Sequence, residues 1–246
     1  MNNWRKYVQE QLVKLGYQLN KRDAMHSGRV RRMLLLKNFA VDTVLDVGAN
    51  VGQYARELRR DQYGGRIISF EPLGDAFDVL SGYADRDNLW EAYNYALGDS
   101  SGRAVINVSS NSEWSSLLSI SPEFSDAPPG AQVVREQEIG VRALDDVFTD
   151  LVGPNARPFL KIDAQGYEKK VLDGASNSLN HILGIQLEMS LQRAYEGEVL
   201  FNDMVHIMEK AGFALMSVEP VNVNPMAGRV RQVDGVFFRP DSGPNL

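Results

Sequence analysis

"VLDVGANVGQ", residues 44–53, is an apolar run holding one acid, followed by two glycines four residues apart. Its reading decides the fold. A short apolar stretch that ends in glycine and leads into "VGQYARELRRDQ" predicts a strand turning into a helix, a junction where a ligand can approach the backbone and lie against a helix N-terminus. Three chemistries use such a turn. A phosphate cradle of the P-loop kind ends in Gly-Lys-Ser/Thr, whereas Gly52 is followed by Gln53 and Tyr54. A dinucleotide site needs G-x-G-x-x-G, whose middle glycine leaves room for a pyrophosphate; here that position is Asn50 and the last is Gln53. What remains is Asp46-x-Gly48-x-x-x-Gly52, with an acid at the strand end. An acid there suits a ligand with a cationic amino group, not a phosphate.

Outward from this turn, strands alternate with helices, which predicts an α/β protein with a mostly parallel sheet covered on both faces. Strands are expected at 43–48, 66–71, 89–97, 103–109, 137–144, 158–164 and 184–190, with helices over 51–62, 73–84, 167–179 and 200–212. Two final strands, "FALMSVEPV" and "VDGVFFRP", follow each other without a helix between them. Ligands of open α/β sheets bind outside the carboxyl ends of the strands. The second strand ends "SFEP", placing Glu71 there, 23 residues after Gly48, where a carboxylate can accept both hydroxyls of a ribose. Asp46 and Glu71 together describe an adenosine that bears an amino acid instead of a diphosphate, which is S-adenosylmethionine.

"LDVGANVGQYA", "FEP", "YALGDSSG", "LDDVF", "FLKIDAQGYEKKVLDGA" and "IQLEMS" resemble, in order and spacing, the FkbM-type methyltransferases. The resemblance runs from about residue 40 to 240, and its most specific part is the "KIDAQGYE" to "VLDGA" block. It implies a Rossmann-like class I methyltransferase fold, a mostly parallel seven-stranded sheet with helices on both faces. It also implies O-methylation of hydroxyls on sugars, glycolipids or polyketide-type natural products. Carried onto this chain, the resemblance sets Asp46, Gly48, Asn50 and Gly52 at the methionine end of the cofactor and Glu71 at the ribose. Ala96, Leu97, Gly98 and Asp99 would flank the adenine, with Asp99 accepting from its exocyclic amine.

The fourth long strand carries the chemistry. Asp163 stands where "KIDA" meets its loop, beside the expected sulfonium, and "Asp-Ala-Gln-Gly" departs from the Asn/Asp-Pro-Pro-Tyr/Phe pattern of enzymes that methylate base amines. An aliphatic alcohol must lose its proton as it attacks, so Asp163 or Glu188 is expected as the base, with His206 as a further candidate. Alternatively Asp163 and Glu188 bind Mg²⁺, which would lower the pKa of the alcohol. Gln165 and Tyr167 are candidates to face the acceptor. The long loop 109–131 is a candidate lid, with Trp114 and Ser115 against the acceptor. Glu168 falls in a first helical turn, where an acid complements the helix dipole.

Composition bounds these readings. The net charge of −6 divides unevenly: residues 1–37 hold nine Lys/Arg against two acids, leaving −13 for residues 38–246. We therefore expect a basic, helical N-terminal segment (1–37) and one methyltransferase domain (38–246). Its acidic body disfavours nucleic acid as a partner, so a small-molecule or glycoside acceptor is expected. The basic segment offers peripheral contact with an anionic membrane or packing over the domain, and a homo-oligomer is compatible with the sequence. With no cysteine, no apolar run long enough to span a bilayer and no signal-like h-region, a cytoplasmic protein is expected. Two other readings stay open: a nicotinamide-dependent oxidoreductase, opposed by Asn50, and a non-catalytic binding subunit with this fold.

Overall fold

A computed structural model describes residues 3–17, 21, 23–124 and 127–243. The opening stretch forms β1 (Thr43–Val47), the glycine turn and α3 (Gln53–Arg60), after α1 (Asn3–Lys14) and α2 (Gly28–Asn38). β2 (Arg66–Phe70), α4 (Gly74–Ala84) and β3 (Trp90–Tyr93) follow. Next come β4 (Ala96–Leu97), β5 (Gly102–Ser109), β6 (Val133–Arg142) and α5 (Leu144–Leu151). The C-terminal part runs β7 (Pro158–Ile162), α6 (Glu168–Asp173), β8 (Gly184–Ser190), α7 (Phe201–Lys210), β9 (Ala214–Val223) and β10 (Val230–Phe238).

Seven strands form one sheet in the order β3-β2-β1-β7-β8-β10-β9. β3, β2, β1, β7 and β8 pair in parallel, and β10 runs antiparallel between β8 and β9. All five residues of β1 and of β7 are buried, as expected of parallel strands covered on both faces. Successive residues serve opposite layers. Leu45 packs with Leu160, Phe148 and Met208, whereas its neighbour Val44 packs with Phe159, Leu36 and Leu58. Phe39, just after α2, stacks on Phe238 with ring centroids 4.1 Å apart, which ties α2 to the last strand. Chain direction along the sheet reverses at β1, which lies between β2 and β7, so the crevice opens at the carboxyl ends of these strands.

Three local features differ from the sequence expectation. The run 89–97 is two strands: β3 closes the main sheet, then β4 leaves it to join β5 and β6 in a separate three-stranded sheet. α5 occupies 144–151, where no helix was expected; its buried Leu144, Phe148 and Leu151 have helical spacing that the strand reading of 137–144 obscured. α6 stops at Asp173 rather than continuing to 179. A side chain at Gly174 would meet the Gly98 carbonyl at 1.9 Å, and Asp145 instead holds the following turn by accepting from the backbone N–H of Asn177 (2.9 Å) and Ser178 (2.7 Å). Among the described residues, no helix is long and apolar enough to cross a membrane.

Candidate active site

The glycine turn owes its shape to one close approach. Gly48 has φ +70°, and a Cβ there would lie 1.8 Å from the backbone oxygen of Asp163, so only glycine lets the ends of β1 and β7 meet. Asn50 follows with φ +47°, and its N–H donates to Glu71 Oε2 at 2.8 Å. The other Glu71 oxygen accepts from the Leu73 N–H at 2.9 Å. Burial raises the Glu71 pKa to about 7, with those two backbone donors pulling the other way. Gly52 (φ +79°) seats the start of α3 against Leu80 and Trp90.

A cleft of about 640 Å³ opens above this turn, lined at one end by Glu71, Leu73, Ala96 and Leu97. Its far end is lined by Asp163, Gln165, Glu188, Gln186, Gln232 and Asp234. Gln165, itself at φ +53°, donates through Nε2 to both Asp163 Oδ1 (2.8 Å) and Glu188 Oε1 (3.3 Å), and its Oε1 accepts from the Tyr195 hydroxyl at 2.9 Å. Glu188 also accepts from Gln232 Nε2 at 2.5 Å. Burial, then the nearby Asp163, Asp234 and Glu168 carboxylates, push the Glu188 pKa well above the usual range, which favours its protonated form. Asp234 is raised to about 6 by burial and by Asp163, against the pull of Lys161 and Arg32.

Part of the 109–131 loop covers the cleft. Asn50 Nδ2 donates to Ser112 Oγ at 3.0 Å, Gln53 Nε2 to Glu113 Oε1 at 3.1 Å, and Ser116 Oγ to the Gln165 carbonyl at 2.6 Å. Trp114 and Ser115 line the cleft between these ties, as does Tyr167. The loop therefore grips both the glycine turn and the Asp163 loop.

Three expected site residues stand elsewhere. Asp46, read as facing an amino group, is wholly buried behind the turn and meets a cation already in the protein: Lys161 Nζ, 3.2 Å away. Burial opposes the charge of Lys161, but Asp46 and Asp163 outweigh it and raise its pKa. Asp99 lies outside the cleft lining and pairs with Lys170 at 2.7 Å. His206 sits on the exposed face of α7, away from the cleft, because the helix turns Met204 and Met208 inward instead. Glu168 reaches back beyond the first turn of α6 to accept from Ala164 N–H at 2.9 Å and Gly166 N–H at 3.1 Å, so it braces the Asp163 loop. Lys161 escaped the sequence reading, although a lysine inside the apolar "PFLKI" signals a buried counter-charge, and it faces Asp46 directly in the β1–β7 register. Among the described residues, no three His, Cys, Asp or Glu side chains are grouped to hold a metal ion.

Residues 46–215 match the methyltransferase FkbM domain. The chain belongs to the FkbM methyltransferase family. The chain is similar to the hexuronic acid methyltransferase AglP of Haloferax volcanii, 26% identical over 170 residues, which are 68% of this chain and 64% of that protein. The chain thus matches somewhat less than two thirds of this curated relative's length. Among solved structures, TehB from Haemophilus influenzae aligns with TM-score 0.46 and 9% identity, covering 84% of this chain and 60% of that one. The precorrin-6y C5,15-methyltransferase of Geobacter metallireducens aligns with TM-score 0.43 and 13% identity, covering 89% and 93%. The FkbM match and the seven-stranded, mostly parallel sheet make this chain a methyltransferase of α/β fold, for which S-adenosylmethionine is the methyl donor to be tested against the cleft. Its residues fit that cofactor: the Gly48 cradle leaves no side chain between the backbone and a ligand, and Glu71 presents a carboxylate to the same cleft.

Proposed function

We propose that the protein is an S-adenosylmethionine-dependent O-methyltransferase whose acceptor is a hydroxyl of a sugar or other polyhydroxylated small molecule. The observation that carries this reading is the far end of the cleft, where Asp163 and Glu188 stand with the amide side chains of Gln165, Gln186 and Gln232. Amide side chains donate and accept while carboxylates accept, which together answer the paired donor and acceptor character of sugar hydroxyls, and Trp114 adds an aromatic face to the same cleft. The relative that methylates a hexuronic acid supports a sugar over a catechol or a base amine.

In this reading Gly48, Asn50 and Gly52 hold the methionine end of the cofactor, Glu71 accepts from the ribose, and Ala96 and Leu97 flank the adenine. When bound, S-adenosylmethionine supplies an activated methyl group on a sulfonium that leaves as a neutral thioether. The protein must align the acceptor oxygen and relieve it of a proton. Asp163 is the cleft carboxylate we assign to that proton. Gln165 and Lys161, at 2.8 and 3.6 Å, fix its two oxygens, while half-buried Glu188 accepts from the same Gln165 Nε2 and the Tyr195 hydroxyl holds the other end of that amide. Both ties are made by protein donors, so we assign Asp163 to base catalysis in preference to Mg²⁺ binding.

The test is a panel of uronic acid and deoxysugar glycosides, glycolipids, polyketides and catechols, with S-adenosylhomocysteine formation as the readout. Sugars should turn over first, and a better kcat/KM on catechols or free bases would overturn the assignment. On the best acceptor, Asp163→Asn should lower kcat by roughly 10²- to 10⁴-fold, the contribution of a positioned base, with affinity for S-adenosylhomocysteine changed less than about twofold. EDTA should leave wild-type turnover unchanged; rescue by Mg²⁺ after chelation would restore the metal reading.

A further inference from the structure

The methionine end of the cofactor is a zwitterion, so the cleft must answer a carboxylate as well as an ammonium. Two cationic side chains line the cleft among the described residues, Lys161 and Arg32. Lys161 is already committed: its Nζ faces Asp46 at 3.2 Å, Asp163 at 3.6 Å and the Gly48 carbonyl at 3.4 Å. Arg32 is different. It comes from α2, in the basic segment that lies outside the FkbM match, and is 8% exposed. Its guanidinium lies over the Tyr54 ring, 4.8 Å from the centroid, in the first turn of α3 just beyond the glycine turn. Its Nη2 donates to Glu57, but its Nε is buried with no acceptor. Glu57 also divides its charge, pairing with Arg29 at 3.2 Å, and the other acid near Arg32, Asp234, is shared with Lys161 and has its pKa raised to about 6, so the two neutralise Arg32 only in part. A buried guanidinium N–H without an acceptor is costly to keep, and a carboxylate is the acceptor its planar fork fits best.

We propose that Arg32 is the counter-ion of the cofactor's methionine carboxylate, so that α2 completes a cofactor site whose remaining parts lie in the family domain. This rests on the S-adenosylmethionine reading. The cations of residues 1–37 then have one member with a cofactor-binding task, separate from any packing or surface role of the others. Stacking on Tyr54 sets the plane of the guanidinium, and the pairing with Glu57 sets its depth, so Arg32 presents its charge to the cleft from a fixed position.

The experiment compares two ligands by titration calorimetry: S-adenosylhomocysteine and its decarboxylated analogue, which differ only in the carboxylate. Wild-type protein should prefer the carboxylate-bearing ligand by about ten- to hundredfold, the range of hydrogen bonds to charged groups. Failure of the wild type to bind either ligand would refute the cofactor reading itself. Arg32→Gln should weaken S-adenosylhomocysteine to the level of the analogue while leaving the analogue within about twofold of wild type. Arg32→Lys should recover part of the preference through its charge. Glu57→Gln, which releases Arg32 from its present partner, should keep or enlarge the preference and guards against an Arg32 variant that folds poorly. Equal weakening of both ligands by Arg32→Gln, or an unchanged preference with normal thermal unfolding, would overturn the proposal. An anionic acceptor served by Arg32 instead would show as that unchanged preference together with a raised acceptor KM.

Discussion

Lys161→Met tests the electrostatic keystone beneath the cleft. Asp46 is wholly buried and has two neighbours able to answer its charge, Lys161 Nζ at 3.2 Å and Ser69 Oγ at 3.4 Å. Removing the lysine leaves a carboxylate in the sheet centre with one weak neutral donor, and breaking a buried pair from one side costs about 3–5 kcal/mol. At about 2–4 °C per kcal/mol for a domain of this size, the midpoint of thermal unfolding should fall by roughly 6–20 °C. The loss should depend on pH in a defined direction. Burial already works to raise the Asp46 pKa, and Lys161 is its chief opponent. Without Lys161 the folded-state pKa rises far above the unfolded one, so between the two values the folded state binds more protons. Stability of the variant therefore increases as pH falls, by up to about 1.4 kcal/mol per unit, until the unfolded-state pKa near 3.9 is reached. Asp46→Asn should cost less, because Lys161 keeps Asp163 and two backbone carbonyls. The double variant Asp46→Asn, Lys161→Met should regain most of the loss, since a neutral pair of similar size replaces an ionic one. Urea unfolding at pH 5 and pH 8 measures all three. A loss below about 1 kcal/mol for Lys161→Met, or one that does not change between those pH values, would refute the reasoning.

Two further outcomes follow from the same turn. Glu71 titrates near 7 in the free protein, and its carboxylate form is the one that accepts from a ribose, so affinity for S-adenosylhomocysteine should rise between pH 6 and pH 8. Calorimetry should show about a fivefold to tenfold gain in the wild type and a flat profile in Glu71→Gln. Gly48→Ala forces a methyl group within 1.8 Å of the Asp163 carbonyl at φ +70°. It should cost at least about 3 kcal/mol and abolish measurable S-adenosylhomocysteine binding, and a stable variant that still binds would show that the turn adapts.

Legibility followed the range of the interactions. The βα alternation, the glycine turn and Glu71 are written in neighbouring residues: apolar period, glycine position and strand-end acid are local properties of the chain. The departure of β4 from the main sheet was hidden, because "LWEAYNYAL" favours extended backbone throughout and only packing decides which sheet each half joins. The position of His206 outside the cleft was hidden for a related reason. A histidine flanked by Val205 and Ile207 has no preferred face until the helix chooses its core side, and Met204 and Met208 made that choice.

The sequence by itself determined the class of the molecule: an α/β sheet opening on a glycine turn, with Glu71 and Asp163 at the carboxyl ends of two parallel strands. It also carried the family, through motifs that span most of the chain. Only the tertiary structure decided which charges are free to act. Asp46 and Lys161 lie 115 residues apart and meet because β1 and β7 pair in register, which turns an apparent ligand-binding acid into half of an internal ion pair. Arg32, 131 residues before Asp163, enters the same cleft because α2 packs beside the last strands of the sheet. Charge is a property of a residue, but whether water, protein or ligand answers it depends on burial and on partners brought from elsewhere in the chain, and neither is encoded at the residue's own position.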